Sequence, residues 1–174
     1  DIAVFERNLA HSREKARGMI MAGEVFVNGE MRDKPGHRIS INDHITVKNK
    51  PRFVSRGGEK LAGALVDFNY SVEGLVCADV GASTGGFTDC LLQNSASKVY
   101  AIDVGYGQLD YGLRQDNRVI VIERTNARYL ETLPEPIDLV VIDASFISLR
   151  LLLPVIYDWL KANGEIIALI KPQF

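Results

Sequence analysis

The sequence predicts an open, parallel α/β sheet preceded by a small α+β module. Apolar runs at 98–102, 119–122, 137–142 and 165–170 alternate with helical stretches, and three of them end at Asp103, Asp143 and Lys171. Continuous apolar strands between helices belong to parallel sheets covered on both faces. A glycine-rich turn, Asp79-Val80-Gly81-Ala82-Ser83-Thr84-Gly85-Gly86-Phe87, joins the apolar run 75–78 to the helical pattern Phe87, Cys90, Leu91, Leu92. That order is strand, turn, helix, the opening of a nucleotide-type α/β unit. Finally, charge is divided unevenly. Residues 1–56 carry 11 Lys+Arg against 7 Asp+Glu, whereas 57–174 carry 9 against 15. A basic front on an acidic back points to a front that meets a polyanion, although +4 on a short segment also suits an ordinary solvated face.

The bulk numbers fit one domain with a small appendage. The apolar share of 47 % is ample for a core. No apolar run approaches the ~20 residues that span a bilayer, and no secretory signal opens the chain. The chain opens on Asp1 rather than methionine, so residues are expected ahead of it. Cys77 and Cys90 lack metal-ligand spacing and are expected to be buried thiols in a reducing, cytoplasmic setting. His11, His37 and His44 have no ligand-like spacing either, and no metal is expected.

Taken in order, residues 1–22 read as two short helices. Val4, Phe5 and Leu9 form one apolar stripe. Ser12 caps the second helix, in which Ala16, Met19 and Ile20 face a core and Arg13 and Arg17 share an outward face. Gly23 stops it. Val25-Phe26-Val27, the Asn28-Gly29 hairpin signal, the Lys34-Pro35-Gly36 turn and short strands near 38–41 and 45–47 complete a module of roughly fifty residues. The polar, basic stretch 48–56 holds Pro51 and separates two domains, 1–50 and 57–174, with 51–56 as linker. A helix then opens at about Ser55, with Leu61, Ala64, Leu65 and Phe68 as its buried stripe and Lys60 beside that stripe. A further helix is expected over about 149–160.

The glycine-rich turn is neither of two better-known loops. It lacks the Gly-Lys-Ser/Thr of a Walker loop, and its glycine spacing differs from Gly-x-Gly-x-x-Gly. An acidic residue followed by glycines is the usual shape of an S-adenosylmethionine loop; a plain connecting turn is the alternative. Ligands of open α/β sheets bind outside the carboxyl ends of the strands, where Asp79, Asp103, Asp143 and Lys171 converge. Asp103 lies 24 residues after Asp79, close to the spacing for a carboxylate on ribose hydroxyls, a feature that nicotinamide sites share. Asn126 reaches an adenine edge or merely shapes a turn. Asp143 and Lys171 make a structural ion pair, or an acid–base pair in which a lysine, its charge disfavoured by Lys60 and by desolvation, takes the proton of a nucleophile.

Ser12-Arg13-Glu14-Lys15-Ala16, Ala22-Gly23, Val25-x-Val27-Asn28-Gly29, Lys34-Pro35-Gly36 and Asp43-x-Ile45-x-Val47 resemble the S-four RNA-binding domain. Val54-Ser55-Arg56-Gly57-Gly58-x-Lys60-Leu61, the glycine-rich turn, Asp103-Val104-Gly105-Tyr106-Gly107-Gln108-Leu109, Asp143-Ala144-Ser145-Phe146-Ile147-Ser148-Leu149 and Leu169-Ile170-Lys171-Pro172-Gln173-Phe174 closely resemble the TlyA, or hemolysin A-like, family. That family joins an S-four domain to an FtsJ-type methyltransferase domain of Rossmann-like fold. The resemblance implies S-adenosylmethionine-dependent methylation of ribose 2′-hydroxyls in ribosomal RNA, with ribosomal subunits as partners. It implies Lys60, Asp143 and Lys171 as the first three of a Lys-Asp-Lys-Glu tetrad. The fourth has no counterpart before Phe174, so the methyltransferase sheet is expected to be C-terminally truncated and the fragment weakly active. Cofactor contacts would come from Asp79, Gly81, Ala82, Ser83, Gly85, Gly86, Phe87, Asp103, Val104, Asn126 and Asp143. Arg7, Ser12, Arg13, Lys15, Arg17, Asn28, Lys34 and Arg56 would face RNA. The competing expectations are an RNA-binding scaffold with a degenerate methyltransferase domain, and a membrane-active hemolysin. The second needs an amphipathic or spanning segment that the sequence lacks.

Overall fold

The computed structural model describes residues 1–10, 12–48 and 51–172. His11, the Asn49-Lys50 part of the connector and the final Gln173-Phe174 lie outside them. The chain divides into two compact units, Asp1–Lys50 and Pro51–Phe174.

In the first unit, α1 (Ile2–Glu6) and α2 (Arg13–Met21) precede β1 (Val25–Val27), β2 (Glu30–Arg32) and β3 (Ile45–Val47). The Ser12 hydroxyl accepts the Lys15 N–H at 3.1 Å, the cap that its sequence position predicts. Val4, Ala16, Met19, Ile20, Val25 and Ile45 form the core. The strands are antiparallel in the order β2-β1-β3. Asn28 and Gly29 both take positive φ, 53° and 85°, as the tight turn between β1 and β2 demands. The strand expected near 38–41 is not formed. Instead Arg7 donates to the Ile41 and Asp43 carbonyls, at 2.9 and 2.6 Å, and Ile41 points to solvent.

The second unit runs α3 (Gly57–Asp67), β4 (Val76–Val80), α4 (Gly86–Gln93), β5 (Lys98–Ile102), α5 (Tyr111–Gln115), β6 (Val119–Ile122), β7 (Ile137–Ile142), α6 (Leu149–Tyr157) and β8 (Leu160–Ala168). Its five strands are parallel, in the order β6-β5-β4-β7-β8. Alternation along the strands supplies two cores. Cys77, Val99, Leu139 and Val141 face Leu61, Leu65, Phe87 and Leu91 on α3 and α4. Ala78, Val80, Tyr100, Val140 and Ile142 face Leu152, Ile156 and Trp159. Burying each such large side chain contributes about 1.5–3 kcal/mol, which holds the sheet rigid beneath its loops. Both thiols are buried, and burial pushes Cys77 up to about 12 and Cys90 up to about 11.

Three expectations change. The buried stripe of α3 is Gly58, Leu61, Ala62 and Leu65, with Phe68 exposed, because the helix ends at Asp67. The short α5 went unforeseen; only Leu113 on it is buried. The last helix stops at Tyr157 and β8 starts at Leu160, where Trp159 donates its indole N–H to Leu130 O at 2.9 Å. Among the described residues β8 pairs on one side alone.

Candidate active site

Strand order reverses between β4 and β7: the chain moves to one side through β5 and β6, then to the other through β7 and β8. Loops leaving two such strands diverge and open a crevice at the carboxyl ends. The loop after β4 bends at once, because Gly81 adopts φ +85° and packs on the loop after β7. A Cβ on Gly81 would lie 2.9 Å from Asp143 O and 3.0 Å from Ala144 Cα. Ser83 and Gly85 also take positive φ, 50° and 94°. Gly86 then lets α4 approach α3: a Cβ there would stand 2.2 Å from Ser55 Oγ and 2.9 Å from Gly58 N.

The crevice is a cavity of about 710 Å³, in the size range of small-molecule sites. Of the residues expected to act, Lys60, Asp143 and Lys171 line it, as do Gly81, Ala82, Ser83, Gly86, Phe87 and Arg56. Lys171 Nζ is 2.6 Å from Asp143 Oδ1, and Lys60 Nζ is 3.6 Å from Oδ2 of the same carboxylate. The approach to Oδ1 is ionic rather than along a hydrogen-bond direction. Lys171 also donates to Ser145 Oγ at 2.8 Å and to Asp143 O at 3.4 Å. The Lys171 side chain is 19 % exposed and that of Lys60 51 %, so the inner lysine is the sheltered one.

Asp79, Gly85, Asp103, Val104 and Asn126 are not among the residues lining this cavity. Asp79 lies within β4 and is wholly buried; its Oδ2 accepts the Thr88 N–H at 2.9 Å and hydroxyl at 2.7 Å. Burial pushes its carboxyl up to about 7; Thr88 opposes the shift, while Asp143 and Asp103 add to it. Gly85 packs on Leu109 and Leu113. Asp103 accepts the Ser83 N–H at 2.8 Å and the Gly105 N–H at 2.7 Å, tying the glycine-rich loop to the loop after β5. Val104 is exposed beside it. Asn126 Oδ1 accepts the Arg128 N–H at 3.0 Å, the turn-shaping contact.

Glycines let backbone line the crevice, as an S-adenosylmethionine site needs; Asp103, outside that lining, keeps a lone pair on each oxygen beyond the one it uses. Among the lining residues, sequence reasoning missed Ser55, Gly57, Thr84 and Ser145. Ser145 sits two residues after Asp143, a spacing that carried the signal.

In the first unit, Arg7 and Asn28 serve the fold. Asn28 donates to Asp43 Oδ1 at 2.9 Å and accepts the His44 N–H at 2.8 Å. Arg13 pairs with Asp1 at 3.1 Å, and Lys34 lines a separate cavity of about 310 Å³. Lys15 and Arg17 stand exposed on α2.

An FtsJ-like methyltransferase model matches residues 53–174, and an S4 domain model matches residues 1–45. The 16S/23S rRNA (cytidine-2′-O)-methyltransferase TlyA of Mycobacterium tuberculosis is 47 % identical across all of this chain, which covers 66 % of that protein. A solved structure of a protein from Streptococcus thermophilus, described as a hemolysin, matches at 47 % identity and TM-score 0.71, over 99 % of this chain and 65 % of that one. An S-adenosylmethionine-dependent methyltransferase of Mesorhizobium loti shares the fold at 18 % identity and TM-score 0.53, over 61 % of this chain and 50 % of that one. The chain thus spans about two thirds of the length of its similar relatives. With an S4 domain ahead of an FtsJ-like domain, and with this identity along its whole length, the chain belongs to the TlyA and hemolysin A-like family of rRNA methyltransferases.

Proposed function

We propose that this protein is an S-adenosylmethionine-dependent methyltransferase that modifies a ribose 2′-hydroxyl of ribosomal RNA in assembled or assembling subunits in the cytoplasm. The observation that carries this reading is the meeting of Lys60, Asp143 and Lys171 with the glycine-rich loop in one crevice. When bound, the cofactor supplies an electrophilic methyl group on a sulfonium. Gly81 to Thr84, Gly86 and Phe87, which line the crevice, would hold it, with Asp103 tying their loop to the loop after β5. A hydroxyl nucleophile must lose its proton, and Lys171 in its neutral form is the base that takes it. Asp143 fixes Lys171 from 2.6 Å and steadies the ammonium that forms. Lys60, 3.6 Å from the second carboxylate oxygen, adds a weaker second cation to Asp143. Two lysines and Arg56 against one aspartate leave the crevice cationic, which suits an approaching phosphate backbone. Much of the acceleration comes from alignment of the reacting atoms.

The basic first unit supplies sequence-independent affinity through Lys15 and Arg17. The relatives' names support ribosomal RNA as the substrate. No helix among the described residues is long and apolar enough to cross a membrane. The test is transfer of a labelled methyl group from S-adenosylmethionine to ribosomal RNA by the full-length protein, with the modified position located by resistance of its 3′ linkage to alkaline hydrolysis. A full-length protein that binds ribosomal RNA but shows neither calorimetric binding of S-adenosylmethionine nor transfer from it would leave the scaffold reading in place.

A further inference from the structure

Lys171 lines the crevice beside a hydroxyl side chain. As an ammonium, Nζ has three protons, and three oxygens surround it: Asp143 Oδ1 at 2.6 Å, Ser145 Oγ at 2.8 Å and Asp143 O at 3.4 Å. A main-chain carbonyl and an ionised carboxylate only accept hydrogen bonds, whereas a hydroxyl both accepts and donates. Ser145 is exposed and lines the crevice, while the Lys171 side chain is 19 % exposed. The serine oxygen is therefore a second, more exposed group on the crevice wall, in hydrogen-bond contact with the amine.

We infer that Ser145 is a further catalytic residue, which relays the proton of the RNA ribose hydroxyl to Lys171. This rests on the methyltransferase reading above. The ribose O–H bond breaks and its proton joins Ser145 Oγ as the serine's own proton passes to neutral Lys171 Nζ. Serine ends unchanged and Lys171 ends as an ammonium. The ribose oxygen keeps the electron pair that forms its bond to the methyl carbon, and the pair of the broken carbon–sulfur bond stays on sulfur. Asp143 then faces a positive partner, which favours the forward direction.

The experiment uses the full-length protein with ribosomal RNA and S-adenosylmethionine, comparing the unmodified chain, Ser145→Ala and Ser145→Thr. Loss of the relay should lower kcat about tenfold to hundredfold, toward the low end of general-base effects, with cofactor affinity and RNA KM within about twofold. Ser145→Thr keeps the hydroxyl and should restore most of the rate. In mixed light and heavy water the unmodified enzyme should give a curved proton inventory, for two protons in flight, and Ser145→Ala a straight one. A second readout needs neither cofactor nor turnover: in 15N-lysine spectra the Lys171 ammonium protons should exchange slowly in the unmodified protein and faster in Ser145→Ala. Methyl transfer that Ser145→Ala leaves within twofold, or unaltered exchange at Lys171, overturns the relay alone. Absence of transfer by the unmodified protein removes the functional reading and the relay with it.

Discussion

The Asp79 carboxylate receives both the N–H and the hydroxyl of Thr88 on one oxygen, at 2.9 and 2.7 Å, and its other oxygen has no partner among the described residues. A strand-end acid expected as a cofactor contact is instead a buried internal tie between β4 and α4. Its carboxyl is pushed up from 3.8 to about 7, chiefly by burial. A folded-state value above the unfolded one makes the native chain hold a proton that the unfolded chain releases. The contribution to stability is full below about pH 4 and declines through the window up to about pH 7, above which the loss is complete. Melting curves across that window should show the decline, and Asp79→Asn should flatten it. A profile that Asp79→Asn does not change would refute this titration.

Thr88→Val tests the same tie from the other side. It keeps shape while removing the hydroxyl, leaving the buried carboxylate one donor short. A loss of about 1–3 kcal/mol is expected from urea unfolding.

Gly81→Ala should hurt both stability and cofactor binding. The new methyl meets the Asp143 carbonyl at 2.9 Å, and φ +85° is strained for any residue with a Cβ. About 1–3 kcal/mol of destabilisation is expected, and calorimetric titration should find cofactor affinity reduced at least tenfold. Full affinity in a destabilised variant would mean that the loop after β7 yields without disturbing the site.

Removing parts of the lysine–carboxylate cluster should produce unequal effects. Lys171→Met should cut kcat by about a hundredfold or more, with cofactor affinity nearly intact. Lys60→Met should cost less, because Lys60 is half exposed and 3.6 Å from its partner. Asp143→Ala should be the worst of the three, since it leaves the sheltered Lys171 without its carboxylate. Single-turnover rates on ribosomal RNA rank them directly.

In the first unit, charge and architecture separate. Lys15→Glu with Arg17→Glu should weaken RNA binding across all sequences and lower the salt dependence of affinity by about two counterions. Arg7→Ala should instead lower the unit's stability by about 1 kcal/mol, because Arg7 holds two carbonyls of the loop at 41–43. Filter binding over a salt series and thermal melts read the two outcomes separately.

Periodicity and punctuation in the sequence determined the parallel sheet, the Ser12 cap, the Asn28-Gly29 turn and the rim where Asp103, Asp143 and Lys171 gather. These depend on short-range physics: apolar runs, capping side chains and residues that tolerate positive φ. The sequence did not determine what each rim residue touches. Asp79 and Asp103 look equivalent along the chain, yet one is sealed in the sheet on Thr88 and the other ties two loops together. Arg7 and Arg17 read alike as RNA contacts, yet Arg7 is occupied by carbonyls 34 and 36 residues away. Ser145 had no signature beyond its place near Asp143, and its contact with Lys171 appears only where the chain after β8 brings that lysine to within 2.8 Å of its hydroxyl. Burial and partner choice are set by elements distant in sequence that share a boundary in space, so only the tertiary structure could decide them.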